Sequence, residues 1–390
     1  MTPAARTQAA IELLDAIIIA TKEGGAAADT LIARYFSTRR YAGSKDRRAV
    51  RELVYAAIRA SGERPVTGRA AMLRVVKKDK SLIATFDGSE HGPAPIDPEE
   101  ARAAPGVAPK WIIKLLRMSG LDAEELPALV DRAPLDIRVN PLTATAADIA
   151  AGIEGAEAIP GLTHGLRLPA GTNVEPFGGS VEVQDAGSQI VTLAMKAQPG
   201  QRIVDLCAGG GGKTLALAAL MDNRGEILCT DTDRSRLSRL PIRAEKAGVS
   251  IAHTRLLDPG KEATALLDWH AHADGVLVDA PCSGTGTWRR NPEARWRLSP
   301  DRIAKLVVTQ RQILGFARDL VKPGGSMVYI VCSLLDSEGA DQVAGFLRAN
   351  PSWRAETLDL PAGRKHGAGV RLTPLHDQTD GFFVARLIRS

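Results

Sequence analysis

At 390 residues, with 44% hydrophobic and 24% charged residues, the chain is neither disordered nor fibrous, and it is long enough to need more than one core. A net charge of +5 and a pI near 9.1 suit a polyanionic partner without requiring one. The four cysteines, Cys207, Cys229, Cys282 and Cys332, form no CxxC pair, which argues against a metal site and a disulfide scaffold and fits a reducing compartment.

The first apolar run, Ala16-Ile17-Ile18-Ile19-Ala20, is too short for a membrane span and follows Glu12 and Asp15, so a cytoplasmic protein is expected. Ile11, Leu14, Ile17 and Ile18 recur at helical spacing, and Val50, Leu53, Val54, Ala57 and Ile58 complete the pattern, which predicts an all-helical segment over residues 4–80. The basic stretch of Arg39, Arg40, Lys45, Arg47, Arg48 and Arg51 reads first as a solvated face and second as a phosphate contact. A linker is predicted from the prolines and glycines between Gly92 and Pro98 and again at Pro105-Gly106, placing a domain boundary near residue 105.

Residues 109–184 read as a mixed segment with a short helix from Trp111 to Met118 and a strand at 135–139. Beyond residue 184, apolar runs at 202–206, 226–230, 275–279 and 326–332 alternate with helical stretches, the signature of a parallel sheet. The first run empties into Cys207-Ala208-Gly209-Gly210-Gly211-Gly212-Lys213-Thr214, so strand, glycine loop and helix follow in order. That arrangement lets backbone N–H groups approach a nucleoside-bearing ligand. It is not a P-loop, because Cys207 stands where the opening glycine of GxxxxGK[ST] would fall. Asp231 follows the second run, where a carboxylate can accept ribose hydroxyls, a feature dehydrogenases share. Asp258 and Asp279 are expected to end two further strands, and with Asp205 they bring four aspartates to one sheet edge.

Asp279-Ala280-Pro281-Cys282-Ser283-Gly284-Thr285-Gly286 and Val331-Cys332-Ser333 deliver two thiols to that same edge. A lone cysteine at a strand end is more often a small core residue than a nucleophile, but two beside a ligand crevice shift the balance. Carbon 5 of cytosine is a weak nucleophile, and a thiolate adding at carbon 6 makes it enamine-like; a second group must then assist proton loss and release. From the residues alone, either cysteine can take either role.

Together with Arg289-Arg290-Asn291-Pro292-Glu293-Ala294-Arg295-Trp296 and the ending at residues 380–388, these elements make residues 109–390 resemble the Sun/Fmu/RsmB-type RNA 5-methylcytosine methyltransferases. The resemblance implies a Rossmann-like α/β class I methyltransferase domain with a mainly parallel sheet over 185–390. It also implies an RNA-contacting extension over 106–184 and an N-terminal helical domain, NusB-like and RNA-binding, with its linker over 1–105. It makes Cys332 the nucleophile, Cys282 the residue of release, and Asp279 a contact to the cytosine ring. Cys207, Ala208, Gly209, Gly210, Gly211, Gly212, Lys213, Asp231, Asp258 and Asp279 would line an S-adenosyl-L-methionine site. The expected partner is RNA, ribosomal by resemblance, with no membrane and no obligate protein partner.

The chain departs from the family's CAAPGGK at its tetraglycine loop and from its Pro-Glu-Glu-Asn run at Asp336-Ser337-Glu338-Gly339, and Pro241 falls within the helix after Asp231. Arg289, Arg290, Arg295 and Trp296 are candidates for RNA contact, the arginines through phosphates and the indole through stacking on an unpaired base. The competing reading is a surface loop pinned by its tryptophans. Two other functions are weighed: a nucleotide-dependent dehydrogenase, which leaves both cysteines unexplained, and a non-catalytic RNA-binding or ribosome-assembly factor on a methyltransferase fold.

Overall fold

Apolar residues at helical spacing form four helices at the start of the chain: α1 (Pro3–Glu23), α2 (Ala28–Ser37), α3 (Ser44–Ala60) and α4 (Gly68–Lys78). In α1 the Thr2 hydroxyl accepts the Ala5 N–H, Pro3 opens the first turn, and Gly24 closes the helix in the left-handed region at φ 74°. Its buried face, including Leu13, Leu14 and Ile17, meets Val50, Val54 and Ile58 of α3 and Met72 and Leu73 of α4 in one core. The computed structural model describes every residue from Met1 to Ser390.

The chain divides into two compact units, Met1–Arg132 with Thr287–Ser299, and Ala133–Gly286 with Pro300–Ser390. The predicted boundary at 105 therefore lies inside the helical unit. The proline-rich segment is irregular but fastened: the Ala103 N–H donates to the Ala70 carbonyl, and Ser61 forms a bridge with Pro105. Helices α5 (Lys110–Met118) and α6 (Glu125–Ala128) complete the helical unit, so the expected extension over 106–184 is divided between the two units.

The second unit begins with a four-stranded antiparallel sheet of order β2-β3-β1-β4, made of β1 (Leu135–Val139), β2 (Glu157–Ala158), β3 (Gly165–Leu168) and β4 (Val181–Val183), with α7 (Ala146–Ala151) after β1. Ile137, Val139, Ile149, Leu166, Leu168 and Val181 form its own small core. Then follow α8 (Ala186–Leu193), β5 (Arg202–Asp205), α9 (Gly212–Leu220), β6 (Glu226–Asp231), α10 (Arg234–Leu237), α11 (Leu240–Lys246), β7 (Ala252–Leu256), α12 (Glu262–Ala265), β8 (Ala273–Asp279), α13 (Pro300–Leu320), β9 (Val321–Val331) and α14 (Ala340–Ala349). The chain ends with β10 (Trp353–Glu356), β11 (Arg364–His366), β12 (Gly369–Leu372), α15 (Pro374–Asp377) and β13 (Phe382–Arg389).

These strands build a nine-stranded sheet of order β11-β12-β13-β9-β8-β5-β6-β7, with β10 beside β13. The pairs among β5 to β9 are parallel, as the alternating pattern predicted. From β9 onward the sheet continues antiparallel through β13, β12 and β11. Alternate strand residues feed cores on opposite faces, Ile203 and Leu277 in one, Val204 and Val278 in the other. The strand order reverses between β5 and β8, and ligands of open α/β sheets bind outside the carboxyl ends at such a switch point. Pro241 does not break a long helix; it sits in the first turn of α11, after the chain has already turned beyond α10.

Candidate active site

The loop after β5 turns through Gly209 and Gly211, whose φ values of 55° and 87° require glycine, and α9 begins at Gly212. Asp231, at the end of β6, accepts the Gly209 N–H at 2.8 Å on one carboxylate oxygen and the Asp233 N–H at 2.8 Å on the other. The Arg243 guanidinium on α11 donates both to the Gly210 carbonyl and to Glu182 of β4, bracing the loop from its outer side. Lys213, in the first turn of α9, donates from Nζ to Asp279 Oδ2 at 2.7 Å. Burial works against the Lys213 charge, yet the negative charges of Asp279, Cys332 and Asp205 hold its ammonium above the ordinary lysine range.

The two sulfurs meet at the ends of adjacent strands, with Cys282 Sγ and Cys332 Sγ 3.4 Å apart. The Gly286 N–H donates to the Cys332 carbonyl at 3.0 Å and the Gly381 N–H to the Gly286 carbonyl at 2.8 Å, tying the loop after β8 to β9 and to the start of β13. A Cβ on Gly286 would lie 2.0 Å from the Gly381 carbonyl oxygen, so this approach needs a glycine. The hydrogen bond to Cys332, burial, and the negative charges of Cys332 and Glu338 push the Cys282 thiol well above the usual cysteine range. Cys282 is thus held as a thiol, with the Glu338 carboxylate adding to the effect. Burial also pushes the Cys207 thiol up, with Asp279, Asp205 and Asp231 adding to it, so Cys207 is no candidate nucleophile.

A cavity of about 540 Å³ is lined by Cys207, Asp231, Asp279, Cys282 and Cys332 together with residues of α13. Five sequence-predicted residues therefore share one cavity, and Ala208 to Lys213 form the loop and helix start beside it. Asp258 does not join them: it is exposed, two residues past the end of β7, and outside the cavity wall. Sequence reasoning missed Arg236, Arg302 and Phe316, which line the same space. Arg302 and Phe316 lie on α13, whose helical pattern carries no motif to mark the face turned to the cavity.

The RNA-contact candidates after β8 lie elsewhere. Arg295 is fully buried and donates to the Ile58 and Ser61 carbonyls at 2.6 and 2.7 Å. Trp296 is 4% exposed, packs in the helical core, and donates to the Gly62 carbonyl at 3.2 Å. Arg289 is buried and donates to the Arg132 carbonyl at 3.2 Å, and Arg290 is half-buried in the same segment. Arg295 and Trp296 thus offer a nucleic acid no surface here, because their donors and indole ring are committed to the helical unit.

Comparison with known proteins agrees with this geometry. The sequence profile of the 16S rRNA methyltransferase RsmB/F family matches residues 192–388. The chain is 34% identical over 299 residues to a probable ribosomal RNA small subunit methyltransferase B of Synechocystis, covering 72% of this chain and 66% of that protein. A protein of the same description from Bacillus subtilis is 28% identical over 88% of this chain and 78% of its own length. The chain thus spans just under two thirds of the Synechocystis protein. Among solved structures, PH0851 superposes with a TM-score of 0.76 at 25% identity, covering 98% of both chains. NSun6 from Pyrococcus horikoshii superposes at 0.65 with 19% identity over 72% of this chain and 98% of that one, a likeness of fold.

Proposed function

The chain belongs to the 16S rRNA methyltransferase RsmB/F family, and on that premise we propose that it methylates carbon 5 of a cytosine in ribosomal RNA through a covalent bond to Cys332. The observation that carries this reading is the 3.4 Å contact of two half-buried thiols on the wall of one cavity with Asp231 and Asp279.

The residues at the sheet edge fit S-adenosylmethionine. A cavity of about 540 Å³ is within the usual range for such ligands, and the positive-φ Gly209 and Gly211 turn the loop that follows Cys207 of its wall. Asp231 and the Cys207–Gly211 backbone would hold the nucleoside and methionine ends. When bound, S-adenosylmethionine supplies the electrophilic methyl group. Asp279, whose second carboxylate oxygen is not used by Lys213, would hold the cytosine ring at an edge it exposes when unstacked.

The Cys332 sulfur forms its bond to carbon 6 of the ring, and the electron density shifts to carbon 5, which takes the methyl group. The Cys282 S–H, 3.4 Å from the Cys332 sulfur, is a donor within reach of it before attack and again on departure. The carbon-5 proton then passes to solvent water, its electron pair re-forms the carbon 5–carbon 6 double bond, and the Cys332 sulfur leaves carbon 6 as a thiolate beside the Cys282 S–H. Cys282, protonated in the resting protein, supports that release.

RNA contact by the helical unit and by residues 133–184 is part of the same proposal. With Arg295 and Trp296 withdrawn, Arg40, Lys45 and Arg48, near Tyr41 at 73% exposure, are among the exposed cations of the helical unit. A non-catalytic assembly factor would leave the paired thiols and the Lys213–Asp279 pair without a task.

The test is mass spectrometry of protein incubated with S-adenosylmethionine and small-subunit ribosomal RNA. Cys282→Ala is expected to accumulate a protein–RNA adduct that disappears when Cys332 is also replaced. An adduct seen only in Cys332→Ala would exchange the roles, and undiminished methyl transfer in both single variants would remove covalent catalysis.

A further inference from the structure

The two cysteines do not owe their spacing to their own strands alone. Ser283 follows Cys282 and Ser333 follows Cys332, and both serines converge on the carboxylate of Glu338, a fully buried residue just ahead of α14. One oxygen of Glu338 accepts the Ser283 backbone N–H at 2.9 Å and Gln310 Nε2 at 3.1 Å. The other accepts the Ser333 hydroxyl at 2.6 Å and the Ser283 hydroxyl. Gln310, on α13, also donates to the carbonyl of Pro281 at 2.9 Å, immediately before Cys282. The Glu338 carbonyl accepts the Tyr329 hydroxyl at 2.6 Å, fixing its backbone to β9.

The hydrogens assign a direction to this network. Four donors fill the acceptor sites of an ionised carboxylate, and a protonated acid would have to displace one of them. Ser333, having given its hydrogen to Glu338, accepts from the Leu335 N–H at 3.2 Å and from the Thr285 hydroxyl at 3.2 Å. Thr285 in turn accepts the Leu334 N–H at 2.8 Å. The hydroxyls of the cluster are all paired, Gln310 Oε1 is left without a hydrogen-bond partner, and every partner of the carboxylate is neutral. A carboxylate buried among neutral donors alone is expensive to desolvate, and cohesion by itself would be better served by apolar packing.

We propose that Glu338 is a positioning residue for the reaction: by gripping the residues next to both cysteines, it sets the two loops in register so that both sulfurs face one cavity at contact distance. This rests on the covalent reading above. The same negative charge adds to the preference of Cys282 for its thiol form, so one residue serves both geometry and the division of roles.

The experiment measures steady-state kinetics of Glu338→Gln with S-adenosylmethionine and small-subunit ribosomal RNA. We expect kcat to fall by about 10- to 100-fold, the scale of an ångström-sized misplacement, while KM for both substrates stays within about threefold. In a Cys282→Ala background, Glu338→Gln should slow formation of the RNA adduct to the same extent. A kcat within about twofold of the parent, or a KM rising in step with the loss of kcat, overturns the positioning role. Should Glu338→Gln not fold, the Ser283→Ala/Ser333→Ala double variant keeps the carboxylate but loosens its hold on both loops. It should show the same split, and parental kcat there overturns the proposal. Cys332→Ala, assayed alongside, separates the two readings. An active Cys332→Ala removes covalent catalysis whatever Glu338 does, whereas an inactive Cys332→Ala with parental Glu338→Gln removes only the positioning role.

Discussion

Asp205 ends β5 with its carboxylate buried, accepting the Thr214 hydroxyl at 2.7 Å. Burial pushes its carboxyl up from 3.8 to about 7, opposed by the Thr214 bond and reinforced by Asp279 and Asp231. A carboxyl held above its ordinary value binds its proton more tightly folded than unfolded. Its contribution to stability is therefore whole below about 3.8 and is lost as pH rises through about 7. Asp205→Asn should flatten that decline, gaining on the order of 2–4 kcal/mol at pH 8 relative to the parent, measured by urea unfolding across pH 4–8. An unchanged pH profile would refute a burial-raised Asp205. Arg243 is the other single residue with a clear expectation. Its loss unbraces the tetraglycine loop, and removal of a charged hydrogen bond costs about 1.5–3 kcal/mol, so Arg243→Ala should weaken S-adenosylmethionine binding by roughly 10- to 100-fold in calorimetry. The motifs around Cys207, Cys282 and Cys332 were legible because each sits where an apolar strand run ends. Arg243 and Glu338 were not, because their importance lies in carbonyls and hydroxyls that only the fold brings to them.

The segment Thr287–Ser299 shows how a single element can be misread from composition. Its arginines and indoles are the residue types that bind phosphates and bases, yet Arg295, Trp296 and Arg297 are committed to carbonyls at helix ends. Arg295 donates to carbonyls at the end of α3, Arg297 donates to the Ala20 carbonyl in the last turn of α1 and to the Gly25 and Ala26 carbonyls beyond it, and Glu293 accepts the Ala28 N–H at the start of α2. Cations sit at the negative ends of helix dipoles and the anion at a positive one. Helix α2 has no side-chain cap of its own, so Glu293 supplies what local sequence lacks. Nothing in a sequence window distinguishes a guanidinium aimed at a distant helix carbonyl from one aimed at a phosphate. Trp296→Ala should destabilise the helical unit by about 3–5 kcal/mol, the range for truncating a buried aromatic, seen as an earlier urea transition. A transition unmoved by the substitution would contradict that packing.

At the level of the whole molecule, the parallel part of the sheet was readable from alternating runs of apolar residues, whereas the unit boundary was not. Proline and glycine marked irregular backbone near residue 105, but backbone bonds to α4 keep that stretch within the helical unit, which extends to Arg132. None of the helices is long and apolar enough to cross a membrane. Charge on the helical unit can be tested directly. Replacing Arg40, Lys45 and Arg48 together by alanine should weaken ribosomal RNA binding and reduce the slope of log affinity against log salt by about 2–3, roughly one unit for each phosphate no longer neutralised. An unchanged salt slope would move the RNA-binding surface elsewhere.

The division of the helical unit between two stretches of chain also sets a timetable for synthesis. Residues up to Arg132 leave the ribosome well before Glu293, Arg295, Trp296 and Arg297, the residues that cap and fill their helices. At about 5–20 residues per second, the nascent helices wait on the order of ten to thirty seconds with those caps unmade and that core incomplete. Over that interval the β5–β8 half of the large sheet is emerging. The helical unit is first in the sequence, and it is completed only after that half of the sheet has been made.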